Sequence, residues 1–311
     1  MDVRQLIRFV TVADLGSYNR AAQALSVSQP SLTRSIQLLE QDLDARLFER
    51  GAHGALLTAM GEELLPRARM ILAERARAIA AIGALRGGGG AERIMIGSDG
   101  TFAARRLPEA LASMVAEDGD ACFHVVEGTA ATLLAALREG RISLALGARA
   151  PWLDLDGLTF EPLVEERASV MVRSRHRVFA GGIPDLASLA QAHWIVPDQD
   201  NLVEGWARMF IQRDLPVPPI AMRTSSLTVI RGALLAGDFI CLGDHSTFAD
   251  LIAQGQLVAL DMGNPVYSRP AGLFRRSGTR LSARERALVA LLRHQSGKAC
   301  DLMPGAGSGS T

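Results

Sequence analysis

Apolar residues recur at helical spacing from the start of the chain. Val3, Leu6, Ile7 and Val10 fall on one face, and Gly16 follows as a helix stop. Ser17 can cap a second helix with Ala21, Ala22 and Leu25 on its inner side. After the turn Ser26-Val27-Ser28, a third helix is expected, capped by Ser28, with Pro30 in its first turn. Leu32, Ile36, Leu39 and Leu43 share one face of that helix, while Pro30, Thr33, Arg34 and Gln37 point the other way. Two short helices, a tight turn and a third helix with a polar outer face predict a helix-turn-helix. Two short apolar stretches, 47–50 and 55–58, flank Gly51-Ala52-His53-Gly54 and predict a β-hairpin wing.

Thr58 can cap a long helix over 59–86, along which Leu65, Ala68, Leu72, Ile79, Ile82 and Leu85 form an apolar seam. Pairing with the same helix of a second subunit is the simplest way to bury that seam. Gly87 to Gly90 are four consecutive glycines and mark a hinge. Beyond them strands and helices alternate: strands at 93–97, 122–126 and 142–146, helices at 107–116 and 130–139. A second set begins around 164–172 and continues through a strand at 193–196, a helix at 202–213, a strand at 220–223, a helix at 227–236 and a strand at 239–242. This order implies parallel strands with covering helices, in two lobes with a cleft between them. The final 303–311 stretch is rich in Gly and Ser and reads as a disordered tail.

Composition narrows the function. The 311 residues suffice for two domains, and 48% hydrophobic content suits real cores. No run of about 18 apolar residues predicts a transmembrane helix. The first residues lack the basic-then-apolar pattern of a signal peptide, so the chain is expected in the cytoplasm with no membrane partner. Basic and acidic residues balance at 33 each, which leaves a local DNA-binding face open while arguing against a general polycation. No Asp or Glu occurs between Leu15 and Leu39. Cys122, Cys241 and Cys300 are far apart, and the six His residues show no metal-ligand spacing. No catalytic motif of the GxxxxGK, HExxH or GxSxG kind is present. No catalytic residue, metal or cofactor is therefore expected. A redox-sensing role is disfavoured by the poor placement of the cysteines.

A helix fits the major groove, so the outward polar residues of the third helix carry the DNA-reading expectation. They are Gln29, Ser31, Thr33, Arg34 and Gln37, with Pro30 among them in the first turn. The Ser28 hydroxyl, the helix N-terminus and Arg50 are expected at phosphates. Arg34 suits either a guanine or a phosphate.

Several runs then resemble the LysR-type regulators: Phe9 to Tyr18, Ala21 to Leu25, Ser26 to Ser31, Leu39 to Leu43, Leu47 to Arg50 and Leu57 to Gly61. They arrive in that family's order and spacing. The remainder resembles it more loosely, through Val126-Glu127-Gly128, Leu137-Arg138-Glu139-Gly140 and 224–243, so the resemblance covers about residues 1–297. Departures are Asp44 at a usual Gly, His53 at a basic position of the wing, Ser143 at a common Asp and His245 near a usual Pro.

The fold expected is α/β overall: an N-terminal winged helix-turn-helix over 1–58, then a linker or dimerisation helix with its Gly hinge over 59–90. An effector-binding domain of periplasmic-binding-protein type follows over 91–300, with lobe 1 at 91–162 and 268–300, lobe 2 at 163–267 and a tail at 301–311. The implied function is sequence-specific regulation of transcription under control of a small molecule. The alternative is a cytoplasmic solute-binding protein with no regulatory role. Candidate effector residues are the loop Ser98, Asp99, Gly100, Thr101 and Phe102, with Thr129, Arg149, Thr224 and Ser225. Ser98 and Thr101 match inducer-binding positions by resemblance; Arg149, and behind it Arg173 and Arg223, can neutralise a carboxylate. Asp99 opposes an anion unless it turns away. Expected partners are double-stranded operator DNA, a carboxylate or aromatic metabolite, and a second copy of the chain. The resemblance extends the last to a homotetramer and adds RNA polymerase as a candidate.

Overall fold

The computed structural model describes residues 1–51, 54–85, 93–198, 200–260 and 267–300. The Gly87–Gly90 hinge, His53 and the 301–311 tail lie outside them.

The N-terminal unit packs α1 (Val3–Leu15), α2 (Tyr18–Ala24) and α3 (Gln29–Leu43) against a hairpin of β1 (Phe48–Gly51) and β2 (Gly54–Leu57). Asp2 and Gln5 form a capping box on α1, and Gly16 ends that helix in the left-handed region. Asp44, at the family's usual Gly, takes the same left-handed backbone at the end of α3 (φ 48°). Phe9, Val12, Leu32, Ile36, Leu39 and Leu47 form the core. Leu43, expected on that inner face, is exposed because α3 ends at this residue.

The long helix α4 (Ala59–Leu85) has two halves. Leu64, Leu65, Ala68 and Leu72 pack onto the N-terminal core. Further on, Ile79 and Ile82 are 54% and 53% exposed, so these two positions of the distal seam are left uncovered among the described residues.

The rest forms one nine-stranded mixed sheet that runs through both lobes. Lobe 1 contains β3 (Arg93–Ser98), α5 (Gly100–Ala104), α6 (Arg106–Glu117), β4 (Cys122–Glu127), α7 (Ala130–Arg138) and β5 (Leu144–Ala148). The single strand β6 (Leu158–Arg173) then leads into lobe 2. There follow α8 (Leu186–Leu189), β7 (His193–Val196), α9 (Asp200–Ile211), β8 (Ile220–Arg223), α10 (Leu227–Ala236), β9 (Phe239–Asp244), α11 (Ala249–Ala253) and β10 (Leu257–Leu260). The strand β11 (Tyr267–Arg276) returns to lobe 1, and α12 (Ala283–Cys300) closes on α6. Strands β3–β4–β5 are parallel, as are β7–β8–β9, while β6 and β11 run antiparallel to their neighbours. Crossovers within each lobe impose the parallel arrangement, and the two crossing strands join the lobes.

Hydrophobic clusters lie on both faces of the sheet in each lobe. In lobe 2, Trp194, Trp206 and Phe210 pack with ring centroids 5.6–5.8 Å apart. Where β11 shifts register against β6, a Cβ on Gly272 would lie 2.1 Å from the Glu161 carbonyl oxygen, so only glycine fits between the crossing strands.

Candidate DNA interface and interlobe cleft

The rotation of α3 is fixed by burial of Leu32, Ser35, Ile36 and Leu39. That rotation exposes Gln29, Pro30, Ser31, Arg34 and Gln37 and leaves Thr33 half-buried at the edge. The Ser28 hydroxyl accepts the Ser31 N–H at 3.4 Å, which sets the helix start. Arg34 has no hydrogen-bond or ion-pair partner among the described residues. A cation held out from a rigid helix, with no carboxylate to satisfy it, is free to meet a phosphate or a base edge.

The wing is tied to this helix by a residue that the sequence reading missed. Glu40 Oε1 accepts the N–H groups of Leu47 at 2.8 Å and Phe48 at 3.3 Å. These charge-assisted bonds fix the hairpin root and consume the first carboxylate after Leu39, keeping it off the outer face. At the hairpin's far side, Ala55 N–H donates to the Gly16 carbonyl at 3.0 Å. Gly54 has φ +130°, and a Cβ there would approach Gly16 O to 2.3 Å, so this contact also requires glycine. Arg50 is paired with Ala55 in the hairpin register.

Arg69 on α4 links the N-terminal unit to lobe 1. It pairs with Asp14 of α1 and, at 3.0 Å, with Glu139 at the end of α7. Glu139 also receives Arg141 at 2.5 Å. Helix α7 thus has one end at Thr129, its N-cap, and the other on the linker helix. These groups are partly solvated, which limits the strength of each pair. A double-mutant cycle on Arg69→Ala and Glu139→Ala is expected to give a coupling of about 0.2–1 kcal/mol by chemical denaturation. A coupling of zero would mean the contact does not join the two units.

The cleft residues divide sharply. Ser98 and Phe102 are fully buried, and Phe102 belongs to the lobe 1 core. The expectation that they face the cleft is corrected: Ser98 ends β3 among its buried residues, and the segment that follows folds into the short helix α5, which turns Phe102 inward. Asp99 does not turn away from that helix. Its Oδ1 accepts the Phe102 N–H and its Oδ2 the Ala148 N–H, each at 3.1 Å. A carboxylate of the chain thereby occupies the amide groups that were expected to hold a ligand's anion. Burial nevertheless pushes the Asp99 carboxyl above its ordinary range, against the pull of those amides and of Arg269.

In lobe 2, Ser226 rather than Thr224 or Ser225 caps α10. Thr224 Oγ1 accepts the Ser226 N–H at 3.1 Å, and Ser225 Oγ accepts the Asp198 N–H at 3.3 Å. The Arg149 guanidinium lies 5.6 Å from the Phe160 ring centroid. Arg173 is held by Asp238.

Between the lobes lies an open cavity of about 780 Å³, lined on one side by Gly100, Ala103 and Glu127, and on the other by Leu227, Thr228, Ser246 and Thr247. Its two arginines are already paired, Arg105 with Glu109 and Arg231 with Asp250. Thr247 Oγ1 is buried with no hydrogen-bond partner among the described residues. Of the expected effector residues, only Gly100 lines this cavity.

Comparison with known proteins agrees with this division of labour. Residues 3–62 match the model described as "Bacterial regulatory helix-turn-helix protein, lysR family", and residues 87–297 match "LysR substrate binding domain". The chain belongs to the LysR family of bacterial transcriptional regulators. Among its LysR-type relatives, the HTH-type transcriptional regulator PcaQ of Agrobacterium fabrum is 29% identical over 301 residues, 96% of each chain. The small neutral protease regulatory protein of Streptomyces coelicolor is 32% identical over 276 residues, 83% of this chain and 76% of the relative. The fold is also that of the full-length LysR-type regulator CbnR, solved with its target DNA, at a TM-score of 0.64 and 23% identity over 95% of this chain and 100% of that one. The relatives are regulators, and the solute-binding alternative is set aside. A thiol switch finds no support at the buried cysteine either: burial pushes the Cys241 thiol up to about 12, leaving it protonated. No described helix of this LysR-type chain is long and apolar enough to cross a membrane.

Proposed function

We propose that this LysR-type regulator reads an operator by laying α3 in the major groove, with Gln29, Ser31, Thr33, Arg34 and Gln37 toward base edges. Ser28 and Pro30 sit at the helix entrance against the sugar-phosphate backbone. Arg50 and His53 of the wing contact flanking phosphates. The observation that carries this reading is the exposed polar face of α3, which has no partner among the described residues and is held in place by the helix's buried inner row. CbnR in complex with its target DNA gives a relative of the same fold acting on DNA.

The chain acts as a homodimer. The exposed Ile79 and Ile82 of α4 supply the apolar surface for pairing, and a symmetric pair presents α3 twice. Pairing of dimers into a tetramer extends the same logic. Its working units are the DNA-binding domain at 1–58, the linker at 59–90 and the effector domain at 91–300. It works in the cytoplasm, where its DNA is, by binding rather than turnover.

The effector occupies the interlobe cavity, between α5 and Glu127 on one lobe and α10 with Ser246 and Thr247 on the other. Of the residues expected from the sequence, Gly100 lines it on the lobe 1 side. Asp99 fills the α5 amide site, so the ligand's anchor is not a carboxylate at that helix. Calorimetry and thermal melting of the full chain against amines, polyols, carboxylates and aromatic acids test the effector half. A true effector at 100 times its Kd adds about 2.7 kcal/mol of stability. Silence from neutral and amine members, with heat from simple carboxylates, would overturn this placement.

A further inference from the structure

The two strands that join the lobes meet at a buried charge cluster. Glu166 of β6 and Arg269 of β11 are register partners, and Arg269 Nε donates to Glu166 Oε2 at 2.8 Å. Glu166 is 2% exposed, and its Oε1 has no hydrogen-bond partner among the described residues. Each lobe sends a carboxylate to the same place. Asp99 of lobe 1 accepts the N–H of Ala148, whose partner Ala271 on β11 lies two residues from Arg269, and Asp244, the last residue of β9 in lobe 2, pairs in register with Ala168, two residues from Glu166 on β6.

Each flanking carboxylate is also wired into its own lobe. Asp99 holds the start of α5 and the end of β5. Asp244 accepts the Arg167 N–H at 3.1 Å and the Ser246 N–H at 3.0 Å, and Ser246 Oγ accepts from Arg106 of lobe 1 at 3.1 Å. The neighbours of Glu166 on β6, Glu165 and Arg167, are exposed. Glu165 takes the Ser268 hydroxyl. Among the described residues, the charged groups that bear on Glu166 are two carboxylates and one guanidinium. A buried carboxylate oxygen without a donor is costly, and two like charges add to that cost.

We propose that this cluster is a proton-operated latch on the lobe hinge: the closed lobes hold a proton on Glu166, and its release to solvent drives Asp99 and Asp244, with the lobes that carry them, apart. This goes beyond DNA and effector binding, because the operating ligand is the proton.

The direction follows from linkage. In the lobe arrangement of this structure burial pushes the Glu166 carboxyl up to about 7, with Asp99 and Asp244 adding to the rise and Arg269 opposing it. Once hydrated in open lobes it returns toward its ordinary value of 4.5. Between those two values the closed form binds more protons, so closure weakens as pH rises and levels off above about 7.

The test is energy transfer between dyes at Ala131→Cys on lobe 1 and Gln212→Cys on lobe 2. The full chain is used in a Cys122→Ser, Cys300→Ser background, diluted with unlabelled protein. The opening constant is expected to rise about tenfold per pH unit between about 5 and 7 and to be flat by about 8. Glu166→Gln, neutral and of the same shape, is expected to stay closed and to lose the wild-type response, leaving only the contribution of Asp99, whose carboxyl burial also raises. Asp244→Asn removes a like charge and is expected to move the plateau to lower pH, and it serves if Glu166→Gln fails to fold. A wild-type signal that ignores pH, a Glu166→Gln variant that keeps the wild-type response, or an Asp244→Asn plateau that does not move would each overturn the latch.

Discussion

Arg34→Ala is expected to weaken operator binding by about 5- to 150-fold at fixed salt, the cost of about 1–3 kcal/mol for one lost base contact. The guanidinium is exposed and has no partner among the described residues, so folding and self-association should not change. A gel-shift titration against one operator duplex, repeated across salt concentrations, reads both the loss and its kind. If Arg34 reads a base, the variant relaxes sequence preference and keeps the wild-type salt dependence. If it clamps a phosphate, the logarithmic salt slope falls by about one and the loss is similar on every sequence. Undiminished affinity would remove Arg34 from the interface.

Phe9→Ala should have the largest effect on stability. The ring is fully buried, 5.4 Å from the Phe48 ring of the wing, and Tyr18 closes on Phe48 from the other side at 5.8 Å. Removing it costs about 3–5 kcal/mol through lost transfer energy and the cavity left behind. That approaches the whole stability of a small domain, about 5–15 kcal/mol. The expected result is loss of DNA binding with the effector domain still folded, because its clusters contain no N-terminal residue. Calorimetry should show an N-terminal transition lost or moved far down, and the remainder unmoved. A single transition at the wild-type temperature would contradict the separation of the two cores.

The N-terminal unit was readable because its signals are local. Ser17 and Ser28 cap, Gly16 stops, and the apolar rows of α1 and α3 have helical period. Asp44 was readable only as a departure; its left-handed backbone needed the structure. Glu40 could not be found, because its two amide partners depend on how the wing folds back seven and eight residues later.

The lobes were legible as alternating elements, and what joins them was not. Strand β6 serves two lobes, so its buried side changes along its length and no single period of two survives. Strand β11 carries Pro270, which argues against a strand unless the missing N–H is unneeded. Its partners on β6 are about a hundred residues away, as with Glu166 and Arg269. No local pattern reports a contact of that range, so the hinge cluster was invisible. The effector loop failed for a related reason. Ser98 to Phe102 was read as an open anion-binding turn, yet Asp99 caps the segment itself and turns it into a helix.

In the function proposed above, α3 meets DNA as one of a symmetric pair. Sequencing the fragments that the full-length protein retains from a random duplex library, side by side with Arg34→Ala, tests it most directly. The expected result is a two-fold repeat with half-sites about one helical turn, or a whole number of turns, apart, and its loss or blurring in the variant. Retained fragments with no shared motif, or the same motif recovered by both proteins at equal strength, would contradict it.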